Sequence, residues 1–262
     1  MKHEEPPITI AMPIYNNPEL TAAVLGTIQT KHRHIILLID NGSNEDTKNM
    51  LTYQLAKPYH HLITLPRNLG VAKAWNTAIY EAQHRYYSRR LVLLNNDAFL
   101  RPETIDIMLE TMECELATLC TAKNINDGSG DLDTLAKHQR EQCEVINDEP
   151  DFSCFALNLA MLASLRSHES HIEPYPGLFD TNFYPAYFED NDFHRRLKLA
   201  GLKAIKTNQA IFYHYKSSTL LNNPEIDALI QQRYFRNEQY YIHKWGGVPG
   251  KETRDQPLTA RV

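Results

Sequence analysis

Four short apolar runs constrain this chain more than any other feature. Ile8–Ile14, His34–Ile39, Leu62–Leu65 and Leu91–Leu94 are nearly unbroken by polar side chains. Each soon gives way to polar residues: Tyr15-Asn16-Asn17, Asp40-Asn41-Gly42-Ser43, Arg67-Asn68-Leu69-Gly70 and Asn95-Asn96-Asp97. Strands buried on both faces read this way, whereas a strand with one wet face alternates. Helical signals fall between and after the runs. Pro18 suits a first helical turn with Asn17 as its cap, and Leu20, Val24 and Ile28 give an apolar stripe. Val71, Ala74, Trp75, Ala78 and Ala82 share one side of another helix, and Pro102 opens a third carrying Ile105, Met108, Leu109 and Met112. The alternation predicts an α/β fold, with a mostly parallel, Rossmann-like sheet and helices on both faces. Ligands of such sheets bind beyond the carboxyl ends of the strands. Crossover connections place those ends along one rim, so Asn16, Asp40, Arg67 and Asp97 are expected to converge.

Composition narrows the choice of function. A chain of 262 residues builds one substantial core or two closely joined subdomains. With 27 Lys and Arg against 32 Asp and Glu, the formal charge of −5 excludes a strongly basic chain but leaves room for a local basic groove. No apolar run approaches the roughly 20 residues that span a bilayer. The polar start, Met1 to Pro7, lacks the apolar segment of a signal peptide, so a cytoplasmic location is expected. Cys114, Cys120, Cys143 and Cys154 form no CxxC pair and read as free thiols.

The second half is less regular. From about Lys123 to Asp151 the chain turns polar around Asp127-Gly128-Ser129-Gly130-Asp131, as a loop or a subdomain junction would. Phe152 to Leu162 is apolar again, Ile205 and Ile211–His214 read as late short strands, and Pro224 opens a final helix through Ile226 and Ile230. Between them lies Tyr187-Phe188-Glu189-Asp190-Asn191-Asp192-Phe193, a run of carboxylates after aromatic residues. Phe193, Leu197 and Ala200 then recur at helical spacing up to a stop at Gly201. Asp190 or Asp192 would lie at the helix N-terminus, where the dipole favours an ionised carboxylate. Such a group is a candidate general base. The alternative is a helix cap with solvated acidic neighbours.

Taken in order, these pieces resemble glycosyltransferase family 2, with the GT-A fold, over most of residues 8–245. The resemblance rests on Tyr15-Asn16-Asn17, Ile39-Asp40-Asn41-Gly42-Ser43, Asn68-Leu69-Gly70 with Asn76, Leu94-Asn95-Asn96-Asp97, Gly177-Leu178-Phe179-Asp180, Phe188 to Asp192, Gly201 and His214. It implies transfer of a sugar from a nucleotide diphosphate donor with inversion at the anomeric carbon. By the same resemblance Tyr15 and Asn16 touch the donor nucleotide, and Asp40 hydrogen-bonds the nucleobase, usually uracil, while also shaping its turn. Arg67 and Asn68 lie beside base and ribose, although Arg67 also reads as a plain surface charge. Asn95-Asn96-Asp97 stands where the family keeps its DxD signature. Its first position is Asn, so Asp97 is the remaining carboxylate for a metal, and Asn95 or Asn96 is left for the ribose. His214 resembles the histidine that completes the metal shell; a lone histidine ending an apolar strand can equally be structural. An all-oxygen site would suit Mg²⁺, and a histidine ligand favours Mn²⁺. Asp190 is the expected base and Glu189 orients the site or the acceptor. Asp192 caps the helix, pairs with Arg195 or Arg196, or replaces Asp190 as base. Tyr187 and Asp192 are expected on the acceptor side. The resemblance divides one GT-A domain into a nucleotide-sugar-binding half, 1–122, and an acceptor-binding and catalytic half, 123–262.

The acceptor is less defined. Arg233 to Trp245 interleaves basic and aromatic residues, which either stack on sugars or bases or form an amphipathic helix under the sheet. The stretch lacks the QxxRW pattern of processive relatives, implying one sugar per encounter. A saccharide, lipid-linked or cell-surface acceptor is the first expectation. Trp245-Gly246-Gly247-Val248-Pro249-Gly250 resembles the tails of some phage-encoded members, which offers a hydroxymethylated base in phage DNA, within the host cytoplasm, as an alternative. A non-catalytic nucleotide-sugar-binding module is a reading of another class, against which the joint presence of Asp97, Asp190 and His214 speaks. A nucleotidyltransferase would need a glycine-rich basic loop near the first strand, and Tyr15-Asn16-Asn17-Pro18 offers none.

Overall fold

The computed structural model describes residues 6–126, 131–138, 144–146, 151–163, 165, 177–215 and 224–258. The four apolar runs become β1 (Ile8–Ile14), β2 (His34–Asp40), β3 (His60–Thr64) and β4 (Arg90–Leu94). They are mutually parallel: Ile8 to Ile14 run alongside His34 to Asp40, Ile36 alongside His60, and Thr9 alongside Leu91. The side-chain period of two then divides each strand between two cores. Ile8, Ile10, Met12 and Ile14 join Ile36, Leu38, Val92 and Leu94 on one face. Ala11, Leu37, Ile39, Leu91 and Leu93 point to the other, against Ala74, Trp75 and Ala78.

Three helices cross between these strands: α1 (Pro18–Leu25), α2 (Glu45–Gln54) and α3 (Val71–His84). Asn17 precedes α1 in the left-handed conformation and its side chain makes no capping bond, contrary to the expected cap; the stripe ends before Ile28. Helix α2 carries almost no apolar signal, because Thr47 and Leu51 are its buried residues. It is started by Asn44, whose side chain accepts from Thr47 N at 3.1 Å.

The sheet continues through β5 (Ala98–Leu100), β6 (Leu119–Asn124), β7 (Val145–Ile146), β8 (Cys154–Asn158) and β9 (Ala204–His214), with helices α4 (Thr104–Cys114), α5 (Asp133–Lys137), α6 (Glu189–Leu199) and α7 (Pro224–Trp245). Strand order is β3-β2-β1-β4-β8-β6-β9-β5, with β7 beside β9. Strand β8 runs antiparallel to β4 and β6, and β5 antiparallel to β9. Where two short strands were expected near Ile205 and Ile211, β9 is one strand of eleven residues. Its polar middle broke the apolar signal. There Thr207 faces Val145 of β7, and the Asn208 side chain accepts from Glu144 N at 2.9 Å. The polar stretch after Lys123 thus supplies α5 and β7, while Asp127 to Gly130 and Cys143 lie outside the described residues. Cys114, Cys120 and Cys154 are free thiols.

The final helix does not pack under the sheet. Tyr241 and Trp245 of α7 enclose a separate small core with Phe183 and Phe188. Among the described residues no helix is long and apolar enough to cross a membrane.

His60, at the start of the edge strand β3, is buried and its Nδ1 has no hydrogen-bond partner. Burial pulls its pKa down to about 4, with help from the Lys57, His34 and His61 charges. The unfolded chain therefore takes up a proton near pH 6.5 that the folded chain resists. His60 contributes stability that is full above pH 6.5 and is lost as pH falls towards 4. Thermal melts from pH 7 to 4 are expected to show a smaller loss of Tm for His60→Gln than for the parent chain.

Candidate active site

Three loops at the carboxyl ends of β1, β2 and β3 lock together through side-chain amides. Asn16 N donates to Ser43 Oγ at 3.0 Å, and Asn44 N donates to Asn16 Oδ1 at 2.9 Å. The Asn41 amide donates to Asn68 Oδ1 at 3.1 Å and accepts from Leu69 N at 2.9 Å. Gly42 has φ +80, and a Cβ there would lie 2.4 Å from the Arg67 carbonyl carbon, so only glycine lets these loops touch. Asp40 is 1 % exposed. One carboxylate oxygen accepts from Ser43 N at 2.8 Å, and the other, Oδ2, is buried without a partner among the described residues. A buried acceptor left unsatisfied is costly, and a ligand N–H would relieve it. Tyr15 is half-exposed and Arg67 exposed at this rim.

The turn after β4 is tied to two different parts of the sheet. Asn96 donates to Thr21 Oγ1 of α1 at 3.0 Å and to Asn16 O at 3.4 Å. Asn95 N donates to Ser153 O at 2.9 Å. Pairing of β5 with β9 places Ala98 opposite His214, and Asp97 Oδ1 then lies 3.0 Å from His214 Nε2 across 117 positions of sequence. His214 Nδ1 is 3.4 Å from Ser153 Oγ.

The third component is the start of α6. Asn76 of α3 donates to Phe179 O at 2.7 Å and accepts from Phe179 N at 2.8 Å, fixing the Gly177–Asp180 segment beneath it. Tyr187 and Phe188, directly before α6, have φ +79 and +74. Left-handed backbone at such bulky residues costs about 1–3 kcal/mol each and persists only where its surroundings hold it. Three acidic residues then enter three different environments. Glu189 is buried with Oε2 unpartnered; burial, reinforced by the Asp190 charge, holds its carboxyl well above the usual range. Asp190 reaches the cleft, and its Oδ1 accepts from Asn191 N at 2.8 Å. Burial of its carboxylate raises its pKa against the pull of backbone N–H groups. Asp192 is fully buried. Burial pushes its pKa up, but the Lys244 ammonium and Arg196 guanidinium outweigh this and bring it below the ordinary value.

Asp192, named above for the acceptor side and as the alternative base, is instead held in a buried ion pair away from the cleft. It accepts from Arg196 Nε at 2.9 Å and from the Trp245 indole at 2.9 Å, and pairs with Lys244. Arg195, the other expected partner, turns instead to Glu252 at 3.4 Å. Lys244 is 1 % exposed and also binds Asp180 Oδ2 at 2.8 Å. No sequence signal singled it out, since a lysine among aromatics reads as surface. The need of two buried carboxylates for a cation was the available clue.

A cavity of about 590 Å³ gathers Asn95, Tyr187, Glu189, Asp190 and His214 around one space, along with Lys206, which the sequence did not suggest. Tyr15, Asn16, Asp40, Arg67 and Asn68 do not line it; they sit farther along the rim, towards β2 and β3.

The sequence model of Glycosyl transferase family 2 matches residues 9–158, more than half of the chain. The chain belongs to glycosyltransferase family 2. The matched span runs from β1 to β8 and includes the rim loops and Asn95–Asp97. Solved structures agree on the GT-A architecture. The mannosyltransferase PcManGT from Pyrobaculum calidifontis, in complex with GDP-Man and Mn2+, superposes with a TM-score of 0.62 at 15% identity, over 94% of this chain and 67% of that one. S. aureus TarS 1-349 gives 0.54 at 14% identity over 80% and 58%, and a second S. aureus TarS structure gives 0.60 at 13% over 89% and 42%. The chain thus spans well under two thirds of either TarS chain. No curated protein matches. The molecule is a family 2-like glycosyltransferase with a mixed, largely parallel sheet.

Removing the buried ammonium of Lys244 leaves Asp180 and Asp192 uncompensated. Lys244→Ala is expected to cost about 3–5 kcal/mol of unfolding free energy in urea titrations, as loss of one partner from a buried ion pair does.

Proposed function

We propose that this glycosyltransferase moves one sugar, with inversion, from a uridine diphosphate sugar to a hydroxyl of a saccharide acceptor, using a divalent cation. The observation that carries the reading is the separation of the three acidic residues. Glu189 is buried with its carboxyl held well above the usual range, Asp192 is locked in an ion pair, and Asp190, also raised, is the one of the three that is partly exposed at the cavity shared with Asn95 and His214. Environments that push neighbouring carboxyls apart mark acid–base assignments.

In this reading Asp190 accepts the proton of the acceptor hydroxyl as that oxygen attacks the anomeric carbon. The bond from that carbon to the diphosphate oxygen breaks on the opposite face, and the nucleotide diphosphate leaves with the electron pair. A base with a raised pKa takes the proton more readily at neutral pH. Glu189, buried beside it, orients the site, and Tyr187 offers the acceptor an aromatic face. The partnerless Asp40 Oδ2 accepts the ring N–H of uracil, with Tyr15, Asn16, Arg67 and Asn68 forming the surrounding rim. Residues 1–122 then serve the donor and 123–262 the acceptor and the chemistry.

A divalent cation would be held by one Asp97 carboxylate oxygen and one imidazole nitrogen of His214, which lines the cavity, a donor set that suits Mn²⁺. Among the described residues no third His, Cys, Asp or Glu joins them. The remaining ligands would come from the donor diphosphate and water, as is usual for hard cations at phosphate sites. A cation held there stabilises the negative charge that builds on the departing diphosphate. That a structural neighbour is described with a nucleotide sugar and Mn2+ supports both parts of the reading.

Thermal-shift titration tests the donor site. UDP is expected to raise Tm with Mn²⁺ present, more than GDP or TDP does, and Asp97→Ala should remove the metal dependence. No shift with any nucleotide would return the chain to a non-catalytic role. Turnover tests the base. Asp190→Asn should lower kcat by about 10²–10⁴-fold while UDP binding is retained, and wild-type rates would end the assignment. Because the base must be ionised, activity in the parent enzyme should fall as pH drops through a pKa above the ordinary Asp value of about 3.9.

A further inference from the structure

The two left-handed residues in front of α6 must be held, because nothing in their own side chains favours that backbone. In an extended chain successive carbonyls point to opposite sides, whereas a helical-handed residue turns them the same way. Here the carbonyls of Ala186 and Tyr187 converge on one amide: Asn237 Nδ2 of α7 donates to Ala186 O at 2.8 Å and to Tyr187 O at 3.3 Å. One NH2 group can satisfy both only while Tyr187 keeps its left-handed turn. Asn237 is 1 % exposed, so water does not substitute for either bond. The same face of α7 grips the turn on both sides of the amide. The Tyr234 ring lies 5.3 Å from Tyr187 and 5.0 Å from Phe188, and the Tyr241 ring 5.7 Å from Phe188. These aromatic contacts fix where the turn sits; they do not fix which way its peptide planes face. The Phe188 carbonyl accepts the first α6 bond, from Asp192 N at 3.0 Å, so the direction of the turn is passed straight into the first turn of the helix.

We propose that Asn237 is a positioning residue: by clamping the Ala186 and Tyr187 carbonyls it sets the direction in which Asp190 projects from α6 into the cavity. The role rests on the reading of Asp190 as the base, and it acts through the backbone without contact to substrate.

The test compares Asn237→Leu, which keeps the branching and removes the donor, with Asn237→Ser, which keeps one donor. Two readouts are needed. Amide hydrogen exchange followed by mass spectrometry should show faster exchange in the peptide spanning 187–192 of Asn237→Leu, with the β1–β4 peptides unchanged. In transfer assays kcat should fall by about 100-fold, the scale of a small misplacement of a reacting group, while affinity for UDP with Mn²⁺ stays within about twofold of the parent. Asn237→Ser should lie between the two, and carries the comparison alone if the leucine variant does not fold. Unchanged exchange at 187–192, an unchanged kcat, or equal losses of kcat and of UDP affinity would overturn the proposal. If the parent chain itself proves to bind no nucleotide, the exchange comparison still decides whether Asn237 holds the turn, so failure of the enzymatic reading and failure of the clamp are seen separately.

Discussion

An ammonium group buried between two carboxylates organises the second half of this molecule. Lys244 sits on Asp180, from the segment that follows Gly177, and on Asp192, from the first turns of α6. Its charge lies 5.6 Å from the ring centres of Phe183 and Trp245, so the aromatic cluster solvates what water cannot reach. Burying any one of these charges without its partners would be costly. Two neighbouring segments and a helix more than 50 positions later are thereby held in one arrangement, and the helix carrying Glu189 and Asp190 is aimed by it. The arrangement is specific because each partner is costly to leave unpaired, not because the pair itself adds large net stability.

The two halves of the site are built by different physics. The rim beyond β1 to β3 follows from the sheet: parallel strands bring their carboxyl ends to one edge, and short asparagine and serine contacts set the loops there. The start of α6 owes little to the sheet. It depends on Asn76 gripping the backbone at Phe179, on a left-handed pair of aromatic residues, and on a C-terminal helix whose apolar side covers them.

How much could be read in advance tracks this division. Strands β1 to β4 were legible because burial on both faces leaves an unbroken apolar signature, and their ends located Asn16, Asp40 and Asp97. Helix α2 was invisible because its buried residues are Thr47 and Leu51 and the rest is polar. Strand β9 looked like two pieces because its polar centre is satisfied by β7, a partner that local sequence cannot announce. The cluster of carboxylates before Phe193 was found and Asp190 was preferred over Asp192, but the buried ion pair of Asp192 was not foreseen. That pairing is made by Lys244 and Trp245, more than 50 positions away.

Strand β5 has a consequence for the order in which the molecule can assemble. Among the described residues its strand partner is β9, and β9 also fills the place beside β6. As the chain emerges from the ribosome, β1 to β4, β6 and β8 can pair as soon as residue 158 is free, while β5 waits with its edge open. Only the arrival of residues 204–214 seals that edge and, in the same step, brings His214 to Asp97. A truncated or half-made chain would therefore have most of a sheet and no completed centre. Closure of a contact 117 positions long is also the kind of event that slows folding. The strand pairing that closes this edge and the contact between Asp97 and His214 then form together.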